Sequence, residues 1–471
     1  MKIIGRLQEQ QRLLDCLESK RPEFLVVYGR RRVGKTYLIK EYFNDTFSFY
    51  ATGVAKLNTK GQLRAFSDSL RQYGDTEKKM PKDWFEAFSR LRMLLEKETV
   101  FRDSFSNKRI VFLDEVPWMA TARSDFESAL DYFWNSWASS QSDILFIICG
   151  SATSWIIEHV LNNTGGLYNR VTKQIRLLPF TLKECQELYE MNGIHMSFTQ
   201  VIESYMVFGG IPYYINYFDK RLSLAQNIDV LCFSENGQLH YEYNNLFQSL
   251  FKNAQKHVQI IEAISKKRAG ILRTELSDIP EIGDGELLTK ALKELEQCGF
   301  IRKYKNFVKN KSGYYYQVID PFILFHLNFL KEQKFNSWLS YINTPSYYAW
   351  TGLSFEIVCL NHIPQIKTIL GISGVESMEY AWRGKENEAQ IDLLIDRRDG
   401  VINICEMKYT TEPFSIDATY EKNLNHKIYS FQEETKTKKS VHLTMICANG
   451  LKHTAYSNIV LNEINGTDLL K

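Results

Sequence analysis

The sequence of 471 residues predicts an α/β fold class distributed over several domains. In the first ~180 residues, short apolar runs alternate with amphipathic stretches, which is typical of a parallel sheet covered by helices. The pattern becomes mainly helical from Pro179 to about Asn253, and a second α/β stretch begins near Tyr347, after a Thr-Pro-Ser break. A chain of this length exceeds one hydrophobic core, so we expect two to four domains.

Composition and charge narrow the class of protein. Apolar residues make up 44% and charged residues 24% of the sequence, as in an ordinary folded protein. The formal net charge is only +3, so any contact with nucleic acid has to come from a local basic patch. The eight cysteines include no CxxC pair, which argues against a zinc finger or a disulfide scaffold and predicts reduced, buried thiols. The N-terminus has no signal-peptide pattern and no apolar run is long enough for a bilayer, so we predict a cytoplasmic protein without a membrane partner.

The first sheet is predicted from four apolar runs with helical stretches between them. Each run is short and bounded by polar or turn-forming residues, as buried parallel strands are. The runs are residues 24–28, 47–51, 110–113 and 144–149.

A glycine-rich loop follows the first of these strands and precedes a helix. Its sequence fits the pattern GxxxxGK[ST], in which the glycines let backbone N–H groups surround phosphate oxygens. Lys35 would reach the β- and γ-phosphates, and the Thr36 hydroxyl would bind Mg²⁺. The loop therefore predicts ATP and Mg²⁺ as ligands, and we expect at least one of its arginines to face solvent. The motif consists of Gly29, Arg30, Arg31, Arg32, Val33, Gly34, Lys35 and Thr36.

Two carboxylates stand at the end of the apolar run 110–113. Asp114 would hold Mg²⁺, and Glu115 would polarise the water that attacks the γ-phosphate. An apolar strand ending in Asp-Glu is common by itself. Its position ~80 residues after the glycine-rich loop makes it a specific partner of that loop.

Two further residues are candidates for sensing the nucleotide. Ser151 follows the run that ends at Cys149, where a polar side chain could reach the γ-phosphate; the alternative is a helix N-cap. Arg170 stands where an arginine finger could reach the nucleotide of a neighbouring subunit; the alternative is a surface salt bridge.

With these motifs, the N-terminal part resembles the prokaryotic AAA+-related ATPases close to the STAND class. The resemblance implies an AAA+ domain with a helical lid over residues 1–220, a nucleotide-dependent switch and ATP-dependent homo-oligomers. The sequence departs from the pattern in having no obvious lid arginine near Gly210. The resemblance rests on residues 4–6 with Glu9, 29–36, 113–115, 178–180 and 209–214.

The middle segment, residues 221–335, contains three predicted helices and a basic hairpin. The helices are expected at residues 255–265, 272–276 and 286–298, with Gly299 as the C-cap of the third. Residues 301–311 hold five basic and no acidic side chains, and residues 314–319 would form the return strand. This pattern predicts a winged helix that binds the DNA backbone through its wing. A protein spacer with an edge protected by lysines remains the alternative.

The C-terminal segment, residues 336–471, places two carboxylates and a lysine on a predicted hairpin. Asp392 lies in the first strand, the turn is at Asp399-Gly400, and the second strand carries Glu406 and Lys408 on one face. Asp392 and Glu406 would hold Mg²⁺ or Mn²⁺ while Lys408 orients water, as metal-dependent phosphodiester hydrolysis requires. A surface salt bridge between Glu406 and Lys408 would explain the pair as well.

The same segment resembles the PD-(D/E)XK nuclease superfamily. The resemblance implies a restriction-endonuclease-like α/β fold and adds Glu356, on a helix over residues 352–360, to the metal ligands. Ile391 stands in place of the proline of the motif.

Two functional hypotheses follow. In the first, the chain is an ATP-hydrolysing AAA+ enzyme that acts on DNA through a winged helix and a metal-dependent nuclease. In the second, it is a nucleotide-switched regulator or assembly protein of STAND type, with a nuclease-like fold that does not cut.

Overall fold

The computed structural model describes residues 3–162, 165–167, 169–251, 253–307, 313–384 and 389–470. The chain divides into two compact units, Met1–Leu178 and Pro179–Lys471.

The first unit is built on a five-stranded sheet in which every pair of neighbouring strands is parallel. The order β2-β3-β4-β1-β5 places the carboxyl ends of β3, β4 and β1 side by side at one edge. The strands are β1 Glu23–Tyr28, β2 Phe49–Thr52, β3 Arg109–Asp114, β4 Ile144–Gly150 and β5 Lys173–Arg176.

The four predicted strands are confirmed to within two residues at each end. The fifth, β5, was not predicted, because it is short and only Ile175 is buried. Strands β1, β3 and β4 are buried along their whole length, which explains why their apolar runs are continuous.

Helices cover this sheet through an aromatic core. Phe24 of β1 contacts Trp134 and Phe146, with ring centroids 4.8 and 5.3 Å away. Asp83 caps one helix by accepting a hydrogen bond from the Glu86 N–H. The helices are α1 Leu7–Glu18, α2 Lys35–Tyr42, α3 Thr59–Gln72, α4 Trp84–Leu95, α5 Val116–Met119, α6 Phe126–Ser136 and α7 Thr153–Ile156.

The second unit begins with the predicted helical region. Capping boxes start three of its helices, at Thr181, Ser197 and Ser223. The helices are α8 Leu182–Met191, α9 Phe198–Phe208, α10 Pro212–Ile215, α11 Leu224–Ile228 and α12 Glu242–Leu250.

Three helices and a small antiparallel sheet follow, with the strand order β6-β8-β7. All three expected helices are confirmed; the second is shifted by one residue, because Leu272 belongs to the short strand β6 that precedes it. Gly299 has φ +75°, as expected of a glycine C-cap. The hairpin tip, 308–312, lies outside the described residues. These elements are α13 Ala254–Ser265, β6 Ile271–Leu272, α14 Arg273–Ser277, α15 Glu286–Gln297, β7 Ile301–Lys305, β8 Tyr314–Val318 and α16 Pro321–Phe325.

The C-terminal part of this unit holds a mixed five-stranded sheet in the order β15-β13-β11-β10-β9. Strand β10 runs antiparallel to both neighbours, and β11, β13 and β15 run parallel. The turn between β10 and β11 has Gly400 at φ +86°, in agreement with the predicted hairpin. The elements are α17 Pro345–Asn361, α18 Ile363–Ile369, β9 Ser377–Arg383, β10 Gln390–Arg397, β11 Val401–Lys408, β12 Phe414–Ser415, α19 Ala418–Thr435, β13 Ser440–Cys447, β14 Leu451–Lys452 and β15 Asn462–Asn465.

The eight cysteines are buried and form no disulfide, as predicted. Within the part of the chain that the structure describes, no helix combines the length and apolar character that crossing a bilayer would require.

Candidate functional site

The glycine-rich loop connects β1 directly to α2. Gly29 has φ +148°, and a Cβ at this position would lie 2.2 Å from the carbonyl oxygen of Leu177. Gly34 has φ +92° and is the last residue before α2. Both positions therefore require glycine, and the loop leads into a helix whose first backbone N–H groups have no partner within the helix.

Lys35, the first residue of α2, is buried with 5% of its surface exposed. Its Nζ donates hydrogen bonds to the carbonyl oxygens of Gly29 and Arg30, at 3.0 and 2.9 Å. No carboxylate among the described residues forms an ion pair with it. A buried ammonium bonded to neutral acceptors alone favours an anion beside the loop.

Thr36 and Asp114 meet at the end of β3, as the sequence predicts. The Thr36 hydroxyl donates to Asp114 Oδ2 at 2.7 Å, and the carboxylate is 4% exposed. Burial raises the pKa of Asp114, and the hydrogen bond from Thr36 opposes that rise. A hydroxyl and a carboxylate in contact are hard oxygen donors, and they fit Mg²⁺.

Glu115 and Ser151 are brought together from the ends of β3 and β4. Glu115 Oε2 accepts hydrogen bonds from the Ser151 hydroxyl at 2.8 Å and from the Ser151 N–H at 3.2 Å. Helix α7 starts after Ala152 and has no side-chain cap, so the alternative interpretation of Ser151 as an N-cap is wrong. In this structure Ser151 orients the Glu115 carboxylate.

The remaining residues of the motif differ in exposure. Arg30 and Val33 are buried and Arg32 is partly buried, whereas Arg31 faces solvent, as expected of at least one loop arginine. Arg6, which the sequence analysis did not include in the site, donates to the carbonyl oxygens of Val33 at 3.4 Å and Leu178 at 2.7 Å. The hydrogen bond to Val33 helps to fix the loop. The only sequence signal for Arg6 was the Gly5-Arg6 pair.

Arg170 is exposed, and its N–H donates to the Leu167 carbonyl oxygen at 3.1 Å. Among the described residues no acidic side chain pairs with it, so the alternative of a surface salt bridge finds no support there. No hydrogen bond or ion pair in the same part of the chain joins it to the phosphate loop.

A second polar cluster lies in the C-terminal sheet, around Glu406. Its carboxylate is 8% exposed and contacts Lys408 Nζ at 3.0 Å, Lys427 Nζ at 2.8 Å and the Tyr420 hydroxyl at 2.5 Å. Burial acts to raise the pKa of Glu406, but Lys427 and Lys408 lower it overall. The predicted pair of Glu406 and Lys408 exists, with the glutamate buried and the Lys408 side chain 32% exposed.

Asp392 and Glu356 complete the cluster. Leu393 pairs with Cys405 across the hairpin, so Asp392 and Glu406 are the next residues along the two strands. Burial, followed by the charge of Asp392, raises the pKa of Glu356 to about 8. The carboxyl of Glu356 makes no hydrogen bond or ion pair with any other described residue. The structure therefore gathers all four predicted residues.

The predicted metal ligands of this cluster are not preassembled. In the described parts of the chain, no group of three or more His, Cys, Asp or Glu side chains is arranged to hold a metal ion. The carboxylate of Glu406 is instead paired with Lys408 and Lys427 and accepts a hydrogen bond from Tyr420. The donor set itself, three carboxyl groups, is the kind that binds Mg²⁺ or Mn²⁺.

Comparison with known proteins finds a similarity in the N-terminal part. Residues 4–218 match the family model described as an ATPase domain predominantly from Archaea. An uncharacterized protein of Methanocaldococcus jannaschii, MJECL04, is 26% identical over 344 residues, which cover 69% of this chain and 68% of that protein.

Similar solved structures include the Walker-type ATPase PABY2304 of Pyrococcus abyssi, with 17% identity and a TM-score of 0.47 over 69% of this chain and 96% of that one. The ORC2 protein of Aeropyrum pernix, in its ADPNP–ADP complexes, has 12% identity and a TM-score of 0.42 over 77% of this chain and 96% of that one. Residues 4–218 are therefore similar in sequence to an archaeal-type ATPase domain, and their phosphate loop and the contact between Thr36 and Asp114 fit ATP with Mg²⁺.

Proposed function

We propose that the first unit hydrolyses ATP, with Glu115 as the base that activates water. The observation that carries this proposal is the pair of hydrogen bonds by which Ser151 orients Glu115 beside the contact between Thr36 and Asp114. A carboxylate fixed at the strand end next to the phosphate loop has the position that a general base requires.

Binding of the nucleotide is assigned to the loop and to the start of α2. The Lys35 ammonium would exchange its two carbonyl contacts for phosphate oxygens, and the backbone N–H groups of the loop would donate to the others. Thr36 and Asp114 would hold Mg²⁺, which when bound neutralises charge on the phosphates.

The proposal is tested by phosphate release from the full chain. Glu115→Gln should retain ATP binding and lower kcat by about 100-fold, because the amide cannot accept the proton of the water. Glu96→Gln, which alters a half-exposed glutamate paired with Arg92 on α4, should hydrolyse ATP at the wild-type rate. An unchanged rate in Glu115→Gln would assign the base to another residue.

Arg170 is proposed to act on the nucleotide of a neighbouring copy of this chain. Its exposure and the absence of an ion pair within the described residues support that role. Mixing Arg170→Ala with Glu115→Gln should restore hydrolysis if the arginine acts across subunits, whereas two inactive variants that stay inactive together would exclude it.

The middle segment is proposed to be a winged helix that contacts DNA. Three helices with the antiparallel sheet β6-β8-β7 support the fold. Lys303 and Lys305 are exposed on β7 over the Tyr314 ring, at 4.0 and 5.1 Å from its centroid, and support contact with phosphates. Changing both lysines to glutamine should weaken DNA binding equally for all sequences, and unchanged affinity would favour the spacer alternative.

A second function, metal-dependent phosphodiester hydrolysis, is proposed for the C-terminal cluster. The gathering of Glu356, Asp392 and Glu406 with Lys408 at one end of a β-hairpin supports it. The three carboxylates would hold Mg²⁺ or Mn²⁺, which when bound polarises the phosphate and activates water. Lys408 would release Glu406 and orient that water or stabilise the developing charge.

Cleavage of supercoiled plasmid by the full chain tests this function. Asp392→Ala should abolish cleavage and leave ATP hydrolysis intact. Asp399→Asn, at the exposed turn of the same hairpin, should cleave normally. Intact plasmid with both metals and ATP, together with an ATP-dependent increase in molecular mass, would support the nucleotide-switched regulator instead.

A further inference from the structure

Arg302 of β7 reaches from the middle segment to the C-terminal carboxylate cluster. Its Nη2 donates to the backbone carbonyl oxygen of Asp392 at 3.5 Å, and its Nε donates to Gln317 Oε1 at 2.7 Å. The guanidinium carbon lies 4.5 Å from the centroid of the Tyr304 ring. An arginine of one segment thus borders the site formed by another.

Arg302 is oriented by Gln317 and Tyr304, and both of these side chains are held by hydrogen bonds to backbone carbonyl oxygens. Gln317 is buried, and its Nε2 donates to the Arg268 carbonyl oxygen at 2.7 Å. The Tyr304 hydroxyl donates to the Ala269 carbonyl oxygen. A side chain held in this way loses little conformational entropy when a ligand binds.

Strand β7 is also anchored to the edge of the C-terminal sheet. The Phe307 N–H donates to the Ala381 carbonyl oxygen at 2.8 Å, and its ring lies 5.3 Å from that of Phe431. Asn306 Oδ1 accepts a hydrogen bond from the Arg383 N–H at 3.0 Å. These contacts keep Arg302 beside Asp392.

The hydrogen bonds of Arg302 go to neutral acceptors. In the described residues no carboxylate lies within ion-pair distance of its guanidinium, whereas Lys408 and Lys427 are both paired with Glu406. Asp392 and Glu356 act on it electrostatically from further away. A partly buried guanidinium with this environment retains the capacity to bind an anion, and its planar donors match a phosphate.

We propose that Arg302 binds a phosphodiester of a nucleic-acid strand at the site formed by Glu356, Asp392 and Glu406. The inference rests on the proposed phosphodiester hydrolysis and deepens it, because the middle segment then supplies the phosphate-binding residue of the C-terminal site. A nucleic-acid strand is the ligand that fits, since the carboxylates and Lys408 suit phosphodiester chemistry and the opposite face of β7 exposes Lys303 and Lys305.

The test measures binding of a fluorescent duplex oligonucleotide to the full chain by anisotropy, with Ca²⁺ in place of Mg²⁺. Arg302→Gln should raise the Kd by about 10-fold and reduce the slope of log K against log salt by about 0.9, the value for one lost phosphate contact. Arg302→Lys should recover the slope but only part of the affinity, because lysine keeps the charge and loses the planar donors. If the role of Arg302 were purely structural, Arg302→Gln would leave the salt slope at the wild-type value, and Arg302→Lys would have no change in slope to reverse.

Arg398→Gln is the matched control. Arg398 lies just after β10, at the opposite end of that strand from Asp392, with 77% of its side chain exposed and Glu376 as its partner. It should bind the oligonucleotide as the wild type does. Thermal melting of both variants checks that they are folded.

Three results would overturn the inference: equal Kd values for Arg302→Gln and Arg398→Gln, no binding by the wild type, or tighter metal binding and faster cleavage in Arg302→Gln. The last would mean that the guanidinium blocks the metal site.

Parallel cleavage assays separate this inference from the proposed function. Binding that depends on Arg302 without any cleavage refutes the hydrolysis alone, whereas cleavage with unchanged kcat and KM in Arg302→Gln refutes the role of Arg302 alone.

Discussion

Replacing Ser151 by alanine removes one of the two hydrogen bonds that hold the Glu115 carboxylate. The hydroxyl bond of 2.8 Å is lost, and the bond of 3.2 Å from the Ser151 N–H remains. Because Ser151 is buried and alanine is smaller, the change creates no clash. Glu115 then loses part of its orientation while the phosphate loop is unaltered.

The size of the effect follows from the kind of bond. A hydrogen bond to a charged group contributes about 1.5–3 kcal/mol. If all of it were lost from the transition state, kcat would fall by roughly 10- to 100-fold, since about 1.4 kcal/mol corresponds to a factor of ten. The retained N–H bond keeps the carboxylate partly in place, so we expect a loss of about 10-fold.

Steady-state phosphate release at saturating ATP measures this loss, and titration with a fluorescent ATP analogue checks that the affinity is unchanged. Ser139→Ala, an exposed position before β4 at the other end of that strand, is the matched control and should retain the wild-type kcat. In the Glu115→Gln background, Ser151→Ala should have no further effect, because the carboxylate it orients is gone.

A wild-type kcat in Ser151→Ala would refute the role of Ser151 in orienting the base. The same reasoning would fail if Ser151→Ala slowed Glu115→Gln by the same factor as it slows the wild type, since the two residues would then act independently.

Two further predictions concern the stability of unit 2 and the shape of the phosphate loop. Burial lowers the pKa of His362 to about 4, and the residue would titrate near 6.5 in an unfolded chain. The stability it contributes is therefore complete above pH ~6.5 and is lost as the pH falls towards 4. In urea unfolding between pH 7 and pH 5, the wild type should lose about 2 kcal/mol more than His362→Gln, and equal losses would contradict this. Gly29→Ala should abolish ATP binding, because its Cβ would lie 2.2 Å from the Leu177 carbonyl oxygen, and calorimetric binding at wild-type affinity would show that the loop tolerates a side chain.

The parts of the molecule that the sequence predicted correctly are those governed by local rules. The glycine-rich loop was predicted from residues whose backbone conformation only glycine adopts readily. Gly34, for example, has a positive φ immediately before α2. The hairpin of β10 and β11 was predicted from the Asp399-Gly400 turn, which fixes which residues face each other. Alternation along β11 then placed Glu406 and Lys408 on one face.

Other features depend on contacts between distant residues and could not be derived in this way. The strand order β2-β3-β4-β1-β5 depends on how the connections cross the sheet. The sequences of the strands do not indicate which strands become neighbours. Arg302 and Asp392 are separated by 90 residues, and nothing local distinguishes Arg302 from the neighbouring basic residues. Lys427 and Tyr420 lie on α19, and nothing in the pattern of that helix indicates that both contact Glu406.

Calorimetric titration of the full chain with ATP and Mg²⁺ tests the central claim that the loop around Lys35 binds a nucleoside triphosphate. We predict saturable binding of one ATP per chain in the wild type. In Lys35→Ala we predict an affinity lower by about 100-fold, because a buried ammonium that contacts the phosphates contributes several kcal/mol. A wild-type chain that shows no saturable heat with any nucleoside triphosphate, or a Lys35→Ala variant that binds as the wild type does, would contradict the account.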